Sequence, residues 1–298
     1  MRVFVTGATG FIGSAIVQEL IRAGHSVLGL ARSDAAAEVL GRAGVAAHRG
    51  DLSDPKSLAA AARICEGVIH TAFIHDFSNI AAAGITDRVA IEAVGTALQN
   101  SGKPLVVASG VAHLKPGEVG TEDDAPDPNT SASHRIASEV STLALAERGV
   151  RASVLRLPPS VHGDGDHGFV PALIRVAREK GESAYVGDGG NRWPAVHRLD
   201  AARAFRLALE RGLAGARYHA VAEEGVPARD IAAVIGRRLQ LAVVSKPRAQ
   251  ISEHFGWIGH FFAIDCPASS RQTQQALGWQ AAQPGLLADL DNPRYFTV

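Results

Sequence analysis

Thr6-Gly7-Ala8-Thr9-Gly10-Phe11-Ile12-Gly13 decides the reading of this chain. Before it, Met1-Arg2-Val3-Phe4-Val5 is a short apolar run of the kind a buried parallel strand needs. After it, Ser14 to Ile21 takes up helical spacing, so the hydrophobic period changes at the glycines. Gly7 supplies a tight turn, Gly10 lets backbone approach a pyrophosphate, and Gly13 lets the helix pack close to the strand. The helix N-terminus then faces the phosphates of a dinucleotide. The spacing is GxxGxxG rather than GxGxxG, and a turn that binds nothing is the structural alternative. Gly24-His25 ends the helix and Ser26 to Ala31 reads as a second strand, which completes a βαβ unit.

Outward from that unit, strands are expected near Val3–Val5, Val27–Ala31, Ala46–His48, Gly67–His70, Leu105–Ala108 and Ala152–Leu155, with helices starting at Gly10, Ala35, Asp54, Ile85 and Ser133. Asp54-Pro55 reads as an N-cap with proline at the first helical position. The alternation predicts an α/β fold with a parallel sheet between two helical layers. Val196 to about Ala222 reads as a helix and strand returning to that sheet, and Val226 to Val298 as a smaller lobe. A cleft is expected between lobe and sheet, outside the carboxyl ends of the strands.

With 46% hydrophobic and 20% charged residues over 298, the chain can bury a sizeable core. Thirty basic residues balance thirty acidic ones, so nothing electrostatic points to nucleic acid or an anionic membrane. Cys65 and Cys266 make no disulfide framework and suit a reducing compartment. No apolar run reaches a membrane span, and Met1 leads straight into the first strand. A soluble cytoplasmic protein is the expectation.

The chain resembles the short-chain dehydrogenase/reductase superfamily, in its extended and atypical branches that include sugar-nucleotide epimerases and dehydratases. The resemblance rests on TGATGFIG, Gly50-Asp51-Leu52, His70-Thr71-Ala72 and Ala108-Ser109-Gly110, each following a strand. It rests also on Arg156 to Gly163, similar to an RPxxVYG segment, and on Pro194 to Ala202, similar to a VHVDDVA stretch. It implies a Rossmann-type doubly wound parallel sheet over residues 1–160, to which 191–222 return, and a substrate-binding lobe from 161–190 and 223–298. By analogy with extended members, it also implies a possible homodimer through the helices of Ile85–Asn100 and Ser133–Arg148.

Within that resemblance the cofactor residues are Gly7, Thr9, Gly10, Phe11, Ile12 and Gly13 at the turn, Asp51 and Leu52 at the adenine, Thr71 and Ala72 at the ribose and pyrophosphate, and Pro158, Pro159, Ser160 and Val161 beside the nicotinamide. The position after strand two where an acidic residue would hold the adenosine ribose is Ala31, followed by Arg32 and Ser33. A guanidinium there can grip a 2′-phosphate and no carboxylate repels it, so NADP(H) is expected. Arg32 on a solvated turn and Asp51 as a plain turn carboxylate are the bland alternatives.

The superfamily's usual proton machinery is a tyrosine with a lysine four residues on. Here the corresponding helix reads Ser133-His134-Arg135-Ile136-Ala137-Ser138-Glu139, with His134 at the tyrosine position and Ser138 at the lysine position. His134 is therefore the candidate acid, Arg135 tunes it or holds a cofactor phosphate, and Ser109 hydrogen-bonds the substrate oxygen, in a register open by one residue to Gly110. His113, His162, His167, Trp193 and His197 are candidates to line the substrate. The His162, Asp164, Asp166, His167 cluster reads as a mobile glycine loop rather than a metal site, and Asp200 as an N-cap. These residues imply an NADP(H)-dependent oxidoreductase acting on a carbonyl or imine of a small organic molecule. A catalytically silent NADP-binding sensor or scaffold and a sugar-nucleotide epimerase or dehydratase are the alternatives.

Overall fold

Val3, Phe4 and Val5 are wholly buried in β1 (Arg2–Thr6) of the computed structural model, which describes residues 1–75, 79–130 and 135–297. An unbroken apolar run suits a strand covered on both faces. The chain continues through α1 (Phe11–Arg22), β2 (Ser26–Ala31), α2 (Asp34–Arg42), β3 (Ala46–Arg49), α3 (Pro55–Arg63), β4 (Gly67–His70), α4 (Ile80–Ala97), β5 (Pro104–Gly110), α5 (Ile136–Ala144) and β6 (Arg151–Leu157). Ser33 caps α2 by accepting the Ala36 N–H at 3.2 Å, and Asp54 caps α3 by accepting that of Ser57 at 3.1 Å.

The second half adds β7 (Ser160–His162), α6 (Phe169–Lys180), β8 (Ser183–Val186), β9 (Arg192–His197), α7 (Arg198–Arg211), β10 (Arg217–His219), β11 (Glu223–Pro227), α8 (Ala228–Leu239) and β12 (Val243–Lys246), followed by short helical turns. Among the described residues seven strands form one parallel sheet in the order β10-β6-β5-β4-β1-β2-β3. The order reverses between β1 and β4, so Thr6 and His70, at the ends of those strands, frame the crevice where such sheets bind ligands.

Three expectations need correction. Helix α4 begins at Ile80 rather than Ile85, because Ile80-Ala81-Ala82-Ala83-Gly84 offers little polar contrast from which to read a helical face. The return of residues 191–222 is divided: α7 packs on α1 and β10 joins β6, but β9 pairs with β7 and β11 in a separate small sheet. Asp200 is not the cap of α7. His197 caps it through Nδ1, which accepts the Leu199 N–H at 3.2 Å. The Asp200 carboxylate instead accepts the N–H groups of Ala282 and Gln283, each at 3.0 Å, while its carbonyl accepts Trp279 Nε1–H at 2.9 Å. The expected start of α5 at Ser133 lies outside the described residues.

Two clusters cover the faces of the large sheet, one against α1 and α7 and one against α3 and α4. A third fills the lobe around Trp193, Ile231, Phe255 and Phe262. Ile85, Val89 and Val140 remain exposed on α4 and α5. No helix among the described residues is long and apolar enough to cross a membrane.

Candidate dinucleotide and active site

Gly7 has φ +69°, and a Cβ there would lie 2.8 Å from Thr71 Oγ1 and 2.9 Å from the Ala72 nitrogen. Gly13 is held tighter still: a Cβ would stand 1.9 Å from the Gly7 carbonyl oxygen. The Gly10 N–H donates to that same oxygen at 2.9 Å. Gly10 is the N-cap residue of α1 and offers no side-chain cap, so no side chain occupies the anion-attracting end of the helix there. The turn thus fits a diphosphate: its backbone is bare where the ligand would approach and crowded only on its protein side. Thr9 and Gly10 are exposed, and Phe11 and Ile12 half-buried.

At the adenosine end, Ala31 closes β2 and is buried, while Arg32 is exposed beyond it. Ser33 is committed to capping α2. Asp51 accepts the backbone N–H and the hydroxyl of Ser53, at 2.9 and 2.7 Å, which holds its carboxyl below the usual range, with Arg32 contributing. Asp51 thus closes a local turn through one carboxylate oxygen, and Leu52 is buried beside it.

Thr71 Oγ1 donates to the Thr6 carbonyl at 2.8 Å and the Ala72 N–H to Thr6 Oγ1 at 3.3 Å, which fixes the loop after β4 on the end of β1. Behind it runs a buried polar chain. Thr6 Oγ1 and His70 Nδ1 are 3.0 Å apart, His70 Nε2 and Asp87 Oδ1 3.1 Å, and Ser138 Oγ donates to Asp87 Oδ2 at 2.6 Å. Burial alone would raise the Asp87 carboxyl, but Arg135 and His70 outweigh it and hold it below the usual range. Ser138, at the lysine position, is thus tied to α4. Arg135 donates to the Ala108 carbonyl at 2.5 Å, stacks 4.2 Å over Phe73, and stands 4.0 Å from Asp87. It sits at the ends of β4 and β5 rather than on the glycine turn. His134 lies outside the described residues.

Ser109 donates to Glu139 Oε2 at 2.9 Å. Glu139 is the centre of a second buried cluster: Arg156 Nη2 donates to it at 2.5 Å and Nε at 3.2 Å, Arg217 donates from the edge at 3.3 Å, and His113 Nε2 lies 3.1 Å away at ion-pair distance but without hydrogen-bond alignment. Burial pushes the Glu139 carboxyl up, yet His113 and Arg156 hold it far below the ordinary glutamate value. Burial likewise lowers His219, beside Arg156, to about 4. Asp87, Glu139 and Arg156 were not singled out as site residues from sequence. The available signals were an arginine inside the apolar strand Val154-Leu155-Arg156-Leu157 and acids on apolar helix faces.

The expected substrate wall is corrected at four residues. Trp193 is fully buried in the lobe, its Nε1–H on the Phe261 carbonyl at 3.1 Å. His113 is enclosed beside Glu139, and His162 is enclosed with Nδ1 2.9 Å from Asp289. His197 is buried against His162, with ring centroids 5.4 Å apart. His167 is exposed and meets the Phe11 ring edge-on at 5.7 Å, so the 163–168 loop reaches the glycine turn. In that loop burial pushes Asp166 up to about 6. Ser160 Oγ is buried without a hydrogen-bond partner among the described residues, next to the half-buried Val161 and Pro159 and the buried Pro158. No group of three or more metal-ligating side chains occurs among the described residues.

The profile of the NAD dependent epimerase/dehydratase family matches residues 3–221. The chain belongs to this family. A protein of Schizosaccharomyces pombe, uncharacterized protein C2A9.02, is 51% identical over 298 residues, covering 99% of this chain and 100% of its own. The 2-alkyl-3-oxoalkanoate reductase of Stenotrophomonas maltophilia is 28% identical over 265 residues, covering 83% of this chain and 77% of its own. Among solved structures, a dTDP-glucose 4,6-dehydratase double mutant from Streptomyces venezuelae with NAD bound superposes with a TM-score of 0.80 at 20% identity, over 99% of this chain and 97% of its own. That likeness bears on the fold, and the seven-stranded parallel sheet agrees with it.

Proposed function

We propose that this family member is an NADP(H)-dependent oxidoreductase that reduces a carbonyl or imine of a small organic substrate. The observation that carries the reading is the glycine turn. Its backbone is bare and uncapped at the crevice, and it opens beside a β2 end that lacks a carboxylate and is followed by Arg32. The bound cofactor would supply hydride. Backbone amides of α1 would hold its diphosphate, Arg32 its 2′-phosphate, and the unpartnered Ser160 hydroxyl its carboxamide.

Arg32→Ser is expected to weaken NADPH binding by about 10- to 100-fold, the worth of one charge-assisted phosphate contact, and to leave NADH within about threefold. Equal weakening of the two in a calorimetric titration would remove Arg32 from cofactor choice. The proton donor is assigned to His134, because histidine is the side chain type whose ordinary pKa suits proton transfer at neutral pH. His134→Ala is expected to lower kcat about 100-fold with cofactor Kd unchanged. Unaltered turnover of an aldehyde, ketone or imine panel would dismiss it.

One observation favours a second reading, a silent NADP-binding sensor. The residue at the lysine position, Ser138, is fastened to Asp87 and provides no cation. Tight NADPH binding with no turnover on any substrate of the panel would support the sensor, and measurable NADPH oxidation would exclude it.

A further inference from the structure

Arg198 opens α7, at a helix N-terminus where the backbone dipole disfavours a cation. The residue is half-buried and its guanidinium lies 5.2 Å from the centroid of the Phe11 ring, and Phe11 is the first residue of α1. Among the described residues it has neither a hydrogen-bond partner nor a carboxylate within ion-pair distance.

Asp164 of the neighbouring loop forms no ion pair with it, and three other acids, Asp200 two residues on, Asp166 of that loop and Asp289 of the lobe, are engaged elsewhere. Asp200 holds the Ala282 and Gln283 amides, Asp166 accepts the Gly168 N–H, and Asp289 serves His162 and Arg294. The 163–168 loop is shaped around the arginine. A Cβ at Gly163 would lie 3.1 Å from Arg198 Cγ, and one at Gly165 3.5 Å from its Nη1, with positive φ at each glycine. Tyr295 pins the start of the loop by accepting the Gly163 N–H at 2.9 Å. A partly desolvated guanidinium without a counter-charge is costly unless an anion completes it.

We propose that Arg198, at the start of α7 and beside the 163–168 loop, grips the diphosphate of the bound dinucleotide together with the α1 backbone amides. This rests on the dinucleotide reading above and extends it to a residue outside the glycine turn. The cofactor would then be held by the starts of both α1 and α7, and the Phe11 ring would keep the planar group level with the phosphates.

The test is calorimetric titration of Arg198→Met and Arg198→Lys with NADH, NADPH and adenosine 2′-monophosphate, the last having no diphosphate. Arg198→Met is expected to weaken NADH and NADPH by the same factor, about 10- to 100-fold, and to leave adenosine 2′-monophosphate unchanged. Arg198→Lys should fall between, since it keeps the charge but loses the fork. Dinucleotide affinity unchanged in Arg198→Met, or equal weakening of all three ligands, would overturn the proposal. Should Arg198→Met misfold, Arg198→Lys decides in the same way. A parent protein that binds neither dinucleotide would instead overturn the cofactor reading on which this one stands.

Discussion

Gly13→Ala is expected to raise the Kd for NADPH and NADH at least about 100-fold, a loss near 3 kcal/mol. The added methyl would begin 1.9 Å from the Gly7 carbonyl oxygen and 2.7 Å from its carbonyl carbon, both backbone atoms with no rotamer by which to yield. Either α1 shifts away from β1 or the turn opens. Both movements displace the amides from the phosphates, because Gly10 N–H is anchored on that same oxygen. The control is Gly41→Ala in α2, where a Cβ meets nothing within 4 Å and φ is ordinary. It should stabilise slightly, by about 0.5–1 kcal/mol, and leave binding as it was. Undiminished titrations of Gly13→Ala, in a protein whose melting curve is intact, would show that the turn is not the phosphate seat.

Glu139→Gln is expected to destabilise the chain by about 3–5 kcal/mol, since it strands the fully buried Arg156 without its counter-charge. For a chain of this size that is a fall in Tm on the order of 10 °C. Replacing the pair together, Glu139→Leu with Arg156→Met, should recover much of the loss, because two apolar groups leave no orphaned charge. The pH dependence follows from the direction of the Glu139 shift. Its carboxyl is held below the ordinary glutamate value when folded, so the stability it confers is complete above that value and declines as pH drops below it. The parent should lose stability on acidification in that range, and Glu139→Gln should show a flatter profile. Denaturant melts across pH 3 to 7 read both effects, and matching slopes in the two proteins would refute the assignment.

The sheet was legible because its signals are local. A strand that is apolar throughout, a turn that only glycine can make, and a cap such as Asp54-Pro55 each declare themselves within a few residues. The small sheet was not legible, since β7 has three residues and its register with β9 depends on contacts distant in sequence. The same holds for the site. Gly7, Gly10 and Gly13 carry their meaning in their spacing, whereas the Glu139 and Asp87 clusters arise where α4, α5, β4, β5 and β6 converge. Ser109 and Ser138 could be placed by resemblance, but what their hydroxyls bind could not. Trp193 and His162 show the complementary error: a side chain able to line a cleft was equally able to fill a core.

The ties from Asp200 to Trp279, Ala282 and Gln283 bear on how the protein is made. Asp200 belongs to the helix that rests on α1, yet its carboxylate is satisfied by amides some eighty positions further along. A nascent chain leaving the ribosome could lay down the glycine turn early, but the α7 layer behind it would await the arrival of residues 279–283.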